Sequence, residues 1–250
     1  RDLMVGGHHI GPVAGDAADW RWLRLGPLGS VDPGPPGPAD GRSVDTTPRR
    51  RRTDPRRRLI DVTALDRSVR RRVDDWLIDR AVQMLGEAVG QMRFTVPISG
   101  QVRLEPATAE RLGCQLERGR VPASRLLLEV DETELVDGGD AARDFCRMLD
   151  RIGSGLVIAG CGGGWAASWA GRDLPIFAVV PDRRLIEQAA DGARAAARIL
   201  GTLADNAADR DQQLIAPRCA AADPFLADLG FTYREQSVTV DAGTGQPIDG

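Results

Sequence analysis

From about residue 59 onward the apolar positions fall into two alternating rhythms. Val69, Val73, Trp76, Leu77, Ala81, Met84 and Leu85 recur at the spacing of one helix face. The run FTVPI (94–98) is short and continuous and predicts a strand, although Pro97 removes one ladder donor. Pro106 opens a helix with Ala109, Leu112 and Leu116 on one side. LLLEV (126–130) predicts a strand. Residues 141–152 predict a helix with Phe145, Met148, Leu149 and Ile152 inward. Strands follow at 156–159 and at 176–180 (IFAVV), then one long Ala-rich helix over 183–204 and a short strand at 214–216. Asp223 is expected to cap a helix that carries Pro224 at its first position and stops at Leu229-Gly230; the last strands fall within 231–240.

Strands thus alternate with helices, and their apolar runs are continuous, as in strands covered on both faces. The pattern predicts an α/β fold with a parallel sheet. At 250 residues a (β/α)8 TIM-type barrel is the economical closure, with a doubly wound sheet as the alternative. One domain over 1–250 is expected. Within it, residues 26–58 lack apolar periodicity: a Pro/Gly-rich stretch leads into seven arginines between Arg49 and Arg58, and the whole reads as an irregular surface loop.

Composition sharpens this picture. The chain is 42% hydrophobic but only 4% aromatic, so Leu, Val, Ile and Ala must build the core. Its 33 basic residues are all arginine, and Asn206 is the only asparagine. That bias, with abundant Ala, Gly and Pro, points to a GC-rich bacterial source. A net charge of −3 does not make the whole molecule an electrostatic partner of nucleic acid. No apolar run of about 18 residues is present, so no membrane insertion is expected. The four cysteines, with no CxxC pair, are expected reduced, mostly buried and cytoplasmic. A start at Arg1 and the absence of a signal peptide suggest a piece of a longer cytoplasmic protein.

Six stretches carry a family resemblance. VDDWLIDRAVQML, RFTVPISG, LLLEVDETELV, GLVIAGCGGGWAASW, DLPIFAVVPDRRLI and LIAPRCAAADPFLADLGFTY occur in the order and at the spacings of the motifs of the EAL domain family, the cyclic di-GMP phosphodiesterases. LLLEVDETELV, for example, is similar to that family's L-x-l-E-I-T-E-S strand and turn. The resemblance runs from about Ala64 to Gln236, and WLRL (22–25) is similar to the end of the family's E-A-L-x-R. It implies a (β/α)8-type barrel with one reversed strand.

The family's chemistry is metal-assisted phosphodiester hydrolysis, in which carboxylates and an Asn hold divalent cations and a Lys helps activate the nucleophile. Position by position, the resemblance places Trp20 on the first metal Glu, Pro97 on the metal Asn, Gly160 and Cys161 on an Asp pair, Val180 on the Lys and Pro217 on a further Glu. Arg24 keeps the family's arginine, Glu129 a metal Glu, and Asp182 the Asp two residues after the Lys position. Glu132 keeps the Glu that steadies the loop after the next strand, and Glu235 stands where a Gln lies near the guanine pocket. One surviving metal carboxylate cannot hold two hard cations. The resemblance therefore implies an EAL-like domain that has lost hydrolysis and needs neither metal nor cofactor.

Arg24, Glu129, Glu132, Gly163, Gly164, Asp182 and Glu235 are the candidate ligand-binding residues. Arg24 can grip a phosphate or form a salt bridge. Glu129 and Glu132 can belong to a ligand site, or Glu132 can brace a loop. The glycines at 162–164 can offer backbone N–H groups to phosphate, though the loop is no P-loop. The arginine cluster at 49–58 fits an anionic surface or a plain solvated loop. Trp165 and Trp169 read as packing or as an apolar patch. Cys161 sits in a Gly-rich turn, but His8 and His9 are the only histidines, which leaves a thiol enzyme unsupported. The expected role is a regulatory protein-interaction scaffold in cyclic di-GMP-related signalling, partnered by another signalling protein or by self-association. The alternative is a non-hydrolytic receptor of cyclic di-GMP.

Overall fold

The computed structural model of the chain describes residues 5–13, 22–27, 66–88, 92–99, 104–162, 174–219, 221–237, 239–240 and 247–248. Eight strands close into a barrel in chain order: β1 (Val5–Pro12), β2 (Trp22–Pro27), β3 (Arg93–Pro97), β4 (Leu126–Asp131), β5 (Gly155–Cys161), β6 (Ile176–Pro181), β7 (Gln213–Ala216) and β8 (Tyr233–Ser237). From β2 round to β8 every neighbouring pair is parallel. β1 alone runs antiparallel to both its neighbours, β2 and β8. The fold is therefore the TIM-type barrel with one reversed strand, not an open doubly wound sheet. A two-stranded ribbon, β9 (Thr239–Val240) with β10 (Pro247–Ile248), follows the barrel.

Seven helices are described: α1 (Arg67–Glu87), α2 (Pro106–Gly119), α3 (Glu132–Asp137), α4 (Gly139–Ile152), α5 (Arg183–Ala190), α6 (Arg194–Ala208) and α7 (Asp223–Asp228). Their apolar faces meet the outward side chains of the strands, among them Phe94, Val96, Leu126, Leu128, Leu156, Ile158 and Leu214. Phe145 and Leu149 of α4 are fully enclosed there, so truncating either to Ala would cost about 3 kcal/mol or more. A smaller cluster, Ile10, Leu127, Val157, Ala178 and Ile215, fills the barrel interior, with Phe177, Val180 and Tyr233 against it. Near the strands' amino ends the Arg93 guanidinium stacks on the Phe177 ring, 4.3 Å from its centre.

Several expectations are corrected. β1 was not anticipated, because VGGHHIGP offers no apolar alternation; order starts well before residue 59, and Gly26 and Pro27 belong to β2 rather than to a loop. Val69 is exposed in the first turn of α1, and the buried stripe begins one turn later at Val73. The single Ala-rich helix is two. Gly192, at φ +91°, takes a left-handed conformation that a helix cannot continue, and Ala193 N–H closes back on Gln188 O at 2.8 Å. Asp223 does not cap α7. It begins the helix, the cap position being Ala222, and its carboxylate pairs with Arg234 of β8. Residues 28–65, including the arginine cluster, lie outside the described residues.

Candidate functional site

In a parallel barrel, the carboxyl ends of the strands carry the functional groups, because the strand-to-helix loops converge there. At that mouth three charged side chains from three strands meet. Arg24 of β2 donates through Nε to Glu129 Oε2 of β4 at 2.7 Å and through Nη2 to Glu129 Oε1, a two-pronged pair. Its remaining nitrogen, Nη1, lies 3.2 Å from Glu235 Oε1 of β8. The other oxygen of Glu235 accepts from the backbone N–H of Arg218, just past β7, at 3.2 Å. All four carboxylate oxygens therefore have a donor. Glu129 and Glu235 are buried, whereas the Arg24 side chain is 30% exposed. Glu129 holds the guanidinium pKa well above its ordinary value; burial opposes this, and Glu235 adds to it.

The fold explains the meeting. β1 lies between β2 and β8, so Arg24 and Glu235 reach across it from either side; Ile10 of β1 stands opposite both Trp22 and Glu235 in the two ladders. Glu129 projects inward from β4 in the same phase as Leu127, which lines the interior.

Glu132 opens α3 and is also buried. Its Oε2 accepts from Gly162 N–H at 3.3 Å, tying the end of β5 to α3. Asp131 caps α3, accepting from Thr133 N–H at 2.9 Å and from the Thr133 hydroxyl at 2.6 Å. Asp182 is likewise a cap: its carboxylate accepts from Arg184 N–H at 2.7 Å at the start of α5. Gly163, Gly164, Trp165 and Trp169 lie outside the described residues.

Gly160 explains why Cys161 is not at the mouth. The β5–β6 register slips by one between Ala159 and Cys161, so Gly160 is a bulge residue, with φ +72°. The bulge turns Cys161 outward into the core beneath the helices. There the thiol is buried, donates to Ile158 O at 3.5 Å, and has its pKa pushed well up by burial and by Glu132 and Asp131. That is the opposite of an activated nucleophile. A side chain at 160 would meet Asp131 Oδ2 at 2.8 Å from its Cβ. Two of the four free cysteines, Cys146 and Cys161, are buried; Cys114 is exposed and Cys219 intermediate.

A pair of divalent cations does not fit these residues. Hard cations need several oxygen ligands. Both oxygens of Glu129 are taken by Arg24, Glu132 faces Gly162, and Pro97, Gly160, Val180 and Pro217 offer no side-chain oxygen. Among the described residues no three His, Cys, Asp or Glu side chains come together as a metal group. Sequence reasoning singled out Arg24, Glu129 and Glu235 separately but missed that they form one network. It also missed the Arg218 N–H and Asp74, a buried acid on α1 that accepts from Ser99 N–H at 3.1 Å beyond β3.

A closed α/β barrel with one reversed strand and its charged side chains gathered at the strands' carboxyl ends defines the class of protein. The family follows from the sequence: residues 49–220 match the family model described as the EAL domain, and the chain belongs to that family. Arg24 and Glu235 lie outside the matched stretch. The fold is similar to the FimX EAL domain of Pseudomonas aeruginosa bound to c-di-GMP, at 17% identity over 93% of this chain and 87% of that one, with a TM-score of 0.69. It is similar to the FimX EAL domain of Xanthomonas citri in complex with c-di-GMP, at 15% identity over 93% and 85%, TM-score 0.70. The PaMucR phosphodiesterase, in its c-di-GMP complex, matches at 17% identity over 99% and 97%, TM-score 0.72. Among curated proteins no sequence matches significantly. No helix among the described residues is long and apolar enough to cross a membrane.

Proposed function

We propose that this EAL domain is catalytically silent and works as a protein-interaction scaffold in cyclic di-GMP-related bacterial signalling, in the cytoplasm. One observation carries the reading: the one metal carboxylate that the family pattern retains, Glu129, has both its oxygens bonded to Arg24. A hydrolytic site would need that carboxylate on a metal and several more beside it. The partner is another signalling protein or a second copy of this chain.

The second reading is a receptor that binds cyclic di-GMP without cleaving it. Retention of Arg24 at the mouth favours it, and the FimX domains of similar fold were solved with that nucleotide. Against it stands the charge around Arg24. A phosphate on the guanidinium would lie near two carboxylates, each repelling it by about 3 kcal/mol at a separation of about 5 Å and an effective dielectric of about 20.

Titration of cyclic di-GMP into the protein, with and without Mg²⁺, together with a hydrolysis assay in Mg²⁺ or Mn²⁺, tests both readings. The scaffold reading expects no binding heat, no shift in melting temperature and no product. Micromolar binding without turnover would make the domain a receptor. Robust metal-dependent turnover would overturn the silent reading outright.

A further inference from the structure

Arg24 sits in an unusual place for an arginine that is free to serve a ligand. Its three guanidinium nitrogens all point at carboxylates: Nε and Nη2 at Glu129, Nη1 at Glu235. The two acids come from strands on different sides of the barrel, β4 and β8, and both side chains are buried. Two buried carboxylates this near one another need a cation between them, because each alone would carry a desolvation penalty of several kcal/mol. In a metal-bound barrel that cation arrives from solution. Here it is covalently part of the chain.

We infer that the guanidinium of Arg24 stands in for a divalent cation at the barrel mouth, so that Glu129 and Glu235 form a cation site occupied from within. The guanidinium suits the position: it is planar, permanently charged and able to address two acids at once. The neighbours agree with this arrangement. Arg218 N–H supplies the one donor that Glu235 still lacks, as a bound water would in a metal site. Pro97, aligned with Glu129 in the β3–β4 ladder, brings no competing side-chain ligand. Two consequences follow. The native protein is indifferent to divalent cations, and removal of the guanidinium vacates a site of two carboxylates and space for water. Mg²⁺ and Mn²⁺ accept such a site, since Mg²⁺ is commonly held by one or two carboxylates with water completing its shell.

This inference rests on the same view of Glu129 as the proposed function, but its test reads cation binding rather than turnover, so the two fail separately. Thermal melting of the whole chain is followed in EDTA, in Mg²⁺ and in Mn²⁺ for the native protein, Arg24→Met, Arg24→Lys and Arg24→Met/Glu129→Gln. The native protein and Arg24→Lys are expected to melt at the same temperature in all three. Arg24→Met is expected to melt lower in EDTA and to rise by about 3–6 °C when Mn²⁺ is about tenfold above its dissociation constant. The double variant is expected to lose that rise. A native protein stabilised by Mn²⁺ through Glu129, shown by loss of the effect in Glu129→Gln, overturns the inference. So does a folded Arg24→Met that ignores both cations. Should Arg24→Met fail to fold in EDTA, refolding it in Mn²⁺ decides: recovery supports the inference, and continued failure beside a well-folded Arg24→Lys counts against it.

Discussion

Cutting Arg24 back to alanine strips Glu129 of both its side-chain donors and Glu235 of one of two. Losing one partner of a buried pair costs about 3–5 kcal/mol. The Arg24 side chain is 30% exposed, so water re-solvates part of the site, and the lower end, about 3 kcal/mol, is expected. For a chain of this length that is a fall of about 6–12 °C in Tm. Glu129→Gln leaves Arg24 its contact with Glu235 and is expected to cost about 1–2 kcal/mol. In the double variant the cost should fall short of the sum by about 1.5–3 kcal/mol, the coupling of two residues that act as a unit. Urea unfolding followed by far-UV circular dichroism measures all four corners of the cycle. Repeating it in high salt separates a screened surface pair from a buried one, whose coupling should change little. A coupling below about 0.5 kcal/mol, the limit within which distant sites add, would refute the claim that Arg24 neutralises Glu129.

Other expectations follow from the surrounding geometry. Restoring a carboxylate by Gly160→Asp should destabilise the fold by about 2–3 kcal/mol, because φ is +72° and the new Cβ meets Asp131 Oδ2 at 2.8 Å, disturbing the α3 cap; an unchanged urea midpoint would contradict the bulge argument. Asp182→Ala should cost about 1 kcal/mol as a lost cap and leave any nucleotide response untouched; altered nucleotide response would return Asp182 to the site. Burial pushes the Cys146 thiol up to about 12 from an ordinary value near 9.0, so the unfolded chain gives up that proton first. The stability contributed by Cys146 is therefore fully present below pH 9 and drains away between pH 9 and 12. Urea midpoints taken upward from pH 8 should fall more steeply for the native chain than for Cys146→Ala; parallel curves would argue against the burial. At pH 8 a thiol reagent should label Cys114 quickly and reach Cys146 and Cys161 only on unfolding.

The sequence made the barrel's middle legible and its closure obscure. β3 to β7 are covered on both faces, so their apolar runs are continuous and stand out from the helical spacing between them. β1 reads VGGHHIGP, and of its described side chains only Ile10 joins the interior cluster, so no pattern announces it. The break between α5 and α6 was hidden by alanine, which hardly distinguishes buried from exposed positions; Gly192 was the signal to heed. At the site, the identities of Arg24, Glu129 and Glu235 were readable against the family pattern, but their union was not. Arg24 and Glu129 are 105 positions apart in sequence, and only the closing of the ring brings β2, β4 and β8 to one mouth. The Glu at 235, where the family pattern has a Gln, was the available clue. An added negative charge beside a retained arginine fits a partner better than it fits a phosphate pocket.

The reversed strand has a consequence for how the ring can be put together. β1 and β2 form a hairpin, and that hairpin is the staple across the last gap, bonded to β3 on one side and β8 on the other. Its covalent link to the remaining strands runs only through residues 28–65. A cut in that link removes none of the described ladder bonds that shut the barrel, so fragments 1–27 and 66–250 should reassemble when mixed, as the halves of a split reporter do. Supplied without its partner, the larger fragment would carry β3 and β8 as two bare edges, the kind of surface on which chains pair with one another.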